Sequence, residues 1–155
     1  MASARVLDVI GTLARIGLAA VWLTSGVLKA LDPDATYVAV RAYDVLARAA
    51  VAPVAWVLPW LEIALGVLLL AGIATRALAL ASTALLLVFV AGVIQAWARG
   101  LSIDCGCFGG GGAVASGETT YGWELLRDTA FLLMAGWLVA RPRTLGLRDL
   151  QKVRT

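Results

Sequence analysis

Long apolar runs separated by short polar segments dominate the chain. Residues 77–97 contain no charged side chain, and similar apolar runs cover about 8–31, 52–73 and 121–140. A helix needs about 20 apolar residues to cross the hydrocarbon core of a bilayer. The pattern therefore predicts four membrane-spanning helices, over 8–31, 52–73, 76–98 and 121–140.

The segments between these spans differ in character. Residues 35–50 mix charged and apolar side chains, which predicts an amphipathic helix lying on the membrane surface or capping the bundle. Asp32-Pro33-Asp34 ends the first span, because the residue before a proline disfavours helix. Ala74-Thr75-Arg76 leaves only a short turn, so we expect spans 2 and 3 to be antiparallel neighbours. A loop over 100–120 and a basic tail over 141–155 complete the chain.

The predicted fold class is therefore all-α: an integral membrane four-helix bundle with an amphipathic surface helix between spans 1 and 2. The whole chain, 1–155, forms a single membrane domain. With 61% hydrophobic and 15% charged residues the composition excludes an ordinary soluble domain, and it favours contact with membrane lipid. The net charge of +3 is small and concentrated in the tail, which speaks to membrane orientation and not to nucleic acid.

Positive charges next to the spans predict the orientation, since they favour the cytoplasmic side. Seven lie on the side of the termini and of the Arg76 turn, and four on the other side. We expect a multi-pass protein of a bacterial inner (plasma) membrane, with both termini cytoplasmic and the cysteine loop extracytoplasmic.

The loop carries the two cysteines of the chain, in the string Asp104-Cys105-Gly106-Cys107-Phe108-Gly109. A disulfide between residues i and i+2 is geometrically feasible but forces the backbone, and strained, exposed disulfides are the more labile kind. Glycine relieves the backbone restriction and leaves room for an approaching partner. This pattern favours Cys105 and Cys107 as a pair cycling between dithiol and disulfide. Asp104 should disfavour a thiolate at Cys105, which points to Cys107 as the sulfur of lower pKa.

Two other interpretations of the cysteines stay open. A static disulfide closes almost no chain, so it would stabilise little. A metal site would need further ligands, and the chain has no histidine to supply them. We therefore predict no metal site.

Ionisable residues inside lipid-spanning segments are costly and by default suggest a functional site. Trp22, Ser25 and Lys29 share one face of span 1, Glu62 lies deeper in span 2, and Arg127 and Asp128 lie in the first turns of span 4. One interpretation is that these charges pair to fasten the bundle. The other is a polar pocket under the cysteine loop that holds a membrane quinone. There Lys29 or Arg127 would stabilise a thiolate or bind a quinone carbonyl, and Glu62 or Asp128 would move protons.

These residues together resemble the MauE/DoxX-like, redox-associated membrane proteins. The resemblance lies in a few strings that run from the first span to the last: Trp22 to Lys29 with Asp32-Pro33, Pro59-Trp60-Leu61-Glu62 with Gly66, Arg99-Gly100, Asp104 to Gly109, and Arg127-Asp128. Asp128 departs from the pattern, since asparagine is often expected there.

The resemblance implies a four-helix membrane protein linked to disulfide formation or to the maturation of periplasmic enzymes, beside a thioredoxin-like partner. In methylamine utilisation the implied client is methylamine dehydrogenase. DoxX-type relatives imply redox chemistry coupled to quinones or thiols, with no covalent cofactor.

Two functions follow from the residues and the resemblance. The first is a thiol–disulfide oxidoreductase that exchanges electrons between an extracytoplasmic thioredoxin-like partner and the quinone pool. The second is a non-catalytic accessory or assembly subunit of a larger membrane redox complex, with the cysteine loop as a docking surface. A transporter fits less well, because four short helices offer little room for a gated path.

Overall fold

The computed structural model describes residues 2–115 and 117–144, with side chains from Arg5 onward. Five helices form, and a two-stranded hairpin lies between the last two. In chain order these elements are α1 (Ala2–Leu31), α2 (Pro33–Ala42), α3 (Arg48–Ala71), α4 (Thr75–Ala98), β1 (Ile103–Asp104), β2 (Gly112–Ala113) and α5 (Tyr121–Ala140). The predicted basic tail beyond Thr144 lies outside the described residues.

Three helices are long and apolar enough to cross a membrane: Arg5–Leu31 of α1, α3 and α4. The segment predicted as the fourth span is helical with the predicted bounds, as α5, but it is not among the helices apolar enough to cross, and three charged residues lie in its first half. Large apolar side chains such as Val57, Val88 and Leu133 are exposed on the helix surfaces. Because this outer face is apolar, the structure supports contact with membrane lipid.

The four long helices share one core, but they pair unequally. Helix α3 packs mainly on α1 and α4 mainly on α5, whereas α3 and α4 contact each other little. The expectation that spans 2 and 3 are close neighbours is therefore wrong beyond their short turn. Gly26 permits the close α1–α3 packing, since a Cβ there would lie 2.8 Å from the carbonyl oxygen of Pro59. Gly66 plays the same part opposite Leu23.

The amphipathic helix is shorter than predicted. It begins after Asp32, whose side chain caps the helix by accepting a hydrogen bond from the Ala35 N–H at 2.9 Å, and it ends at Ala42. Residues 48–50, which were predicted to end the amphipathic helix, instead form the first turn of α3, and the next residue, Val51, is buried. Helix α2 is thus a short cover that lies against the loop and not a long surface helix.

The cysteine loop adds a small element to the predicted all-α fold. Strands β1 and β2 pair antiparallel, with Ile103 opposite Ala113 and Asp104 opposite Gly112. Glycines form the tip because the backbone there adopts positive φ, which is 64° at Gly106 and 104° at Gly111. A Cβ at Gly106 would also lie 2.7 Å from the Cβ of Ala39, so α2 packs directly on the loop.

Candidate functional site

The two cysteines are free thiols at the tip of the hairpin, and they are less open than the sequence suggests. Cys105 is only 8% exposed and belongs to a small apolar cluster with Val93, Ile103 and Tyr121. Cys107 is half-buried. Cys107 is therefore the more exposed residue of the pair.

Two hydrogen-bond donors lie close to the Cys105 sulfur. The backbone N–H of Cys107 donates to it at 3.3 Å, and the Arg127 guanidinium lies at 3.8 Å. The interaction with Cys107, followed by that with Arg127, lowers the pKa of Cys105. The Cys107 thiol instead faces the carbonyl oxygen of Cys105 at 4.0 Å, and its interaction with Cys105 together with burial raises its pKa.

The prediction that Cys107 has the lower pKa of the two cysteines is therefore wrong. The Asp104 carboxylate lies within 4.8 Å of the Cys105 sulfur and accepts the Gly106 N–H at 3.1 Å, but the Cys107 N–H and Arg127 outweigh its effect on the Cys105 thiolate. Cys105, and not Cys107, is the sulfur whose thiolate is stabilised.

Beneath the loop lies a buried polar cluster of Ser25, Lys29 and Glu62, which we call the lysine cluster. The Lys29 Nζ donates to Glu62 Oε1 at 2.7 Å and to Ser25 Oγ at 2.7 Å, and Glu62 is fully buried. Ser25 Oγ lies 2.9 Å from Glu62 Oε2 and 2.6 Å from the carbonyl oxygen of Cys107, so its single hydrogen serves one acceptor at a time. Lys29 also reaches that carbonyl, at 3.3 Å. The cluster joins α1 and α3 to the backbone of the cysteine loop.

Arg127 and Asp128 lie beside Cys105 as a second group. Arg127 donates to Asp128 Oδ1 at 3.1 Å, and its guanidinium lies 4.8 Å from the ring centre of Phe108. The second Asp128 oxygen, Oδ2, is buried without a hydrogen-bond partner within residues 2–115 and 117–144. The predicted pocket residues therefore divide into two groups, one linked to the Cys107 carbonyl and one beside the Cys105 sulfur.

Trp22 takes part indirectly. Its Nε1 donates to Ser82 Oγ at 2.9 Å, and its ring packs on Phe89 with ring centres 6.2 Å apart. Phe89 in turn lies 5.4 Å below the Lys29 ammonium. Trp22 supports the floor of the lysine cluster, and it is not among the residues that line the cavity described next.

An apolar cavity of about 350 Å³ reaches both cysteines. Its lining includes Lys29, Cys105 and Cys107 together with residues of α2, α3 and α4, among them Val54, Leu58 and Val88. Val54 and Val88 are also exposed on the outer surface of the bundle, at 38% and 65%. Residues of the cysteine loop and exposed apolar residues of α3 and α4 thus line the same cavity, and these two helices contact each other little.

Several residues of the site were not predicted from the sequence. Tyr43 donates to the Cys105 carbonyl oxygen at 3.1 Å, and burial raises the pKa of its phenol, so it stays a donor. Tyr121 donates to the Leu101 carbonyl oxygen at 2.6 Å and fixes the start of the hairpin. Glu124 is buried close to Cys105 and Asp104. Glu124 shares a helix face with Arg127 and Asp128 in the first turns of α5, and this spacing is the sequence pattern that could have indicated its place in the site.

Three helices can cross a bilayer, and two free thiols lie in a loop next to a buried ion pair. These features define the class as a membrane protein with a thiol site. The chain belongs to the MauE family, because the family model "Methylamine utilisation protein MauE" matches residues 7–141. No curated protein and no solved structure gives a significant match.

The ion pair of Lys29 and Glu62 predicts strong thermodynamic coupling. Breaking a buried pair by removing one partner costs about 3–5 kcal/mol, because an uncompensated charge stays buried. We expect Lys29→Met and Glu62→Leu each to destabilise by about that amount, and the double variant to lose much less than the sum. Equilibrium unfolding of the purified protein in detergent measures this; additive losses would contradict the coupling.

The donors around Cys105 predict unequal thiol reactivity. Because alkylation requires the thiolate, iodoacetamide should modify Cys105 at lower pH than Cys107. Arg127→Gln should move the Cys105 profile to higher pH, whereas Arg41→Gln, which removes an exposed cation of α2, should leave it unchanged. Peptide mass spectrometry in chelator-treated buffer resolves the two sites. Earlier reaction at Cys107 would refute this assignment.

Proposed function

We propose that this protein is a membrane thiol–disulfide oxidoreductase that exchanges electrons between a thioredoxin-like partner and a membrane quinone. The observation that carries the proposal is an apolar cavity of about 350 Å³ whose lining includes both cysteines together with the exposed apolar residues Val54 and Val88. In the proposal, a ligand dissolved in the membrane enters this cavity, and a protein in water approaches the loop from its other face.

The different pKa values of the two sulfurs determine which one the partner attacks and which one leaves. A partner thiolate attacks the Cys107 sulfur of the Cys105–Cys107 disulfide, forms a mixed disulfide, and releases Cys105, the better stabilised thiolate, as the leaving group. A leaving thiol of lower pKa departs faster, and the Cys107 N–H and Arg127 stabilise the charge that Cys105 then carries. The partner's second thiol displaces Cys107, which leaves an oxidised partner and two reduced cysteines.

The exchange with the quinone restores the disulfide. Two thiols and one quinone give one disulfide and one quinol, so two electrons and two protons move together. Lys29 is the charged residue that lines the cavity, and its ammonium stabilises the negative charge that builds on a quinone oxygen during reduction. The same residues permit the reverse reaction, in which quinol supplies reducing equivalents to the partner.

The cellular setting is part of the proposal. Cysteines outside the cytoplasm can cycle through disulfides, and the positive charges next to the spans favour cytoplasmic termini with the cysteine loop on the extracytoplasmic side of a bacterial inner membrane. The family name links its members to methylamine utilisation, and we propose that the electrons serve disulfide formation or maturation of an exported enzyme in such a pathway.

The quinone step predicts a selective effect of filling the cavity. Leu58→Trp places an indole in the cavity wall and should strongly slow quinone-dependent reoxidation of the dithiol. Leu133→Trp, at an exposed apolar position of α5, serves as the matched control. Stopped-flow reduction of a short-chain quinone by the pre-reduced protein measures the rate.

Equilibrium titration against thiol buffers completes that experiment. The midpoint of Leu58→Trp should match that of the control, because the sulfurs are untouched, and Cys107→Ser should abolish the two-electron transition. Equal quinone rates in both tryptophan variants would exclude the cavity as the quinone site. Cysteines that fail to titrate in the parent protein would favour the accessory-subunit function instead.

The orientation predicts labelling from one side only. After mild reduction of whole cells, an impermeant maleimide should label Cys107 without lysis. A cysteine placed at Arg76, in a Cys105→Ser/Cys107→Ser background, should react only after lysis, because α4 carries it to the opposite end from the loop. The reverse pattern would place the dithiol on the cytoplasmic side and remove the basis for an extracytoplasmic partner.

A further inference from the structure

The buried Glu124 carboxylate lies next to Cys105, whose backbone N–H acts on it, and one of its oxygens makes no close hydrogen bond within the described residues. The Glu124 side chain is 3% exposed; Oε1 lies 3.2 Å from Thr120 Oγ1, while Oε2 has no hydrogen-bond partner within residues 2–115 and 117–144. A buried acceptor left unsatisfied is costly. It therefore points to a proton or a cation that the protein alone does not supply.

The neighbours of Glu124 complete a set of metal-ligating atoms. One oxygen of Asp104, one oxygen of Glu124 and the Cys105 sulfur all lie within 4.8 Å of one another. In a tetrahedral zinc site, bonds of about 2.0–2.3 Å place neighbouring ligand atoms about 3.3–3.8 Å apart. A contraction of about 1 Å in the flexible side chains of Asp104 and Glu124 would reach that spacing.

The local charge favours a cation. Asp104, Glu124, Asp128 and a Cys105 thiolate are anionic when ionised. Arg127, which pairs with Asp128 and also lies 3.8 Å from the Cys105 sulfur, offsets one of these charges. Asp104 is exposed on β1, which gives an ion a path from solvent to the buried ligands.

We propose that Asp104, Cys105 and Glu124 form a binding site for a divalent metal of zinc type, with the fourth position open to water. Binding releases the Cys105 thiol proton to solvent and occupies the sulfur. Metal binding and disulfide formation at Cys105 therefore exclude each other, and the metal protects the reduced cysteine from oxidation. The carboxylates supply the ligands that the sequence, lacking histidine, did not predict.

Cobalt(II) tests the site, because it replaces zinc and reports sulfur ligation by a charge-transfer absorption band. We expect this band when Co²⁺ is added to the reduced full-length protein in detergent without oxygen, and competition by Zn²⁺. Cys105→Ser should abolish the band and Cys107→Ser should retain it. Because even second-sphere partners contribute about 10–100-fold to metal affinity, Glu124→Gln should weaken Co²⁺ binding at least tenfold.

The control for Glu124→Gln is Glu118→Gln, an exposed carboxylate of the same loop that should leave the affinity unchanged. Absence of the band, equal affinities of the two glutamine variants, or a band that requires Cys107 would each overturn the proposal. Circular dichroism and thiol titration in metal-free buffer verify that the variants fold. The metal-free titration also separates failure of this site from failure of the redox function, which does not depend on it.

Discussion

The structure depends on the ion pair between Lys29 and Glu62. Neither charge is tolerable alone in the interior of an apolar bundle, because desolvation is repaid only by a close and fully hydrogen-bonded partner. Helices α1 and α3 must therefore hold the two side chains in register, and Gly26 and Gly66 allow the backbones to approach closely enough. The remaining hydrogen-bonding capacity of Lys29 and Ser25 reaches the Cys107 carbonyl oxygen, so the same pair that fastens the helices also holds the loop.

The anchored loop holds the two neighbouring thiols in different environments, so that their pKa values differ. Glycine lets the backbone turn back so that the N–H of Cys107 points at the sulfur of Cys105, and Arg127 lies near the same sulfur. Helix α2 covers the loop through Ala39 and, at its C-terminal end, Tyr43. Cys105 thus faces the protein interior with a stabilised charge, while Cys107 stays closer to solvent. The carboxylates of Asp104 and Glu124 surround the stabilised sulfur, which connects thiol chemistry with cation binding at one place.

The sequence analysis succeeded where local spacing determines position. Ser25 and Lys29 were predicted to share a helix face, and Glu62 was recognised as a costly charge in an apolar helix; the structure joins all three. It was wrong where a polar side chain had a choice of partners. The Asp104 carboxylate lies near the Cys105 sulfur and binds the Gly106 N–H, but the Cys107 N–H and Arg127 decide which sulfur is stabilised. The pairing of α3 with α1 and of α4 with α5 could not be deduced from the turn between α3 and α4, because a turn constrains only the ends that it joins.

Two levels of information can therefore be separated. The amino-acid sequence by itself determined the number and approximate positions of the long helices, the placement of charges on their faces and the position of the cysteines in a glycine-rich loop, because hydrophobic period and backbone permissiveness are local properties. Only the tertiary structure decided which charges pair, which sulfur is stabilised as a thiolate, and that both cysteines line one apolar cavity. These properties depend on distances between residues far apart in the chain, and such distances are set by how the helices pack.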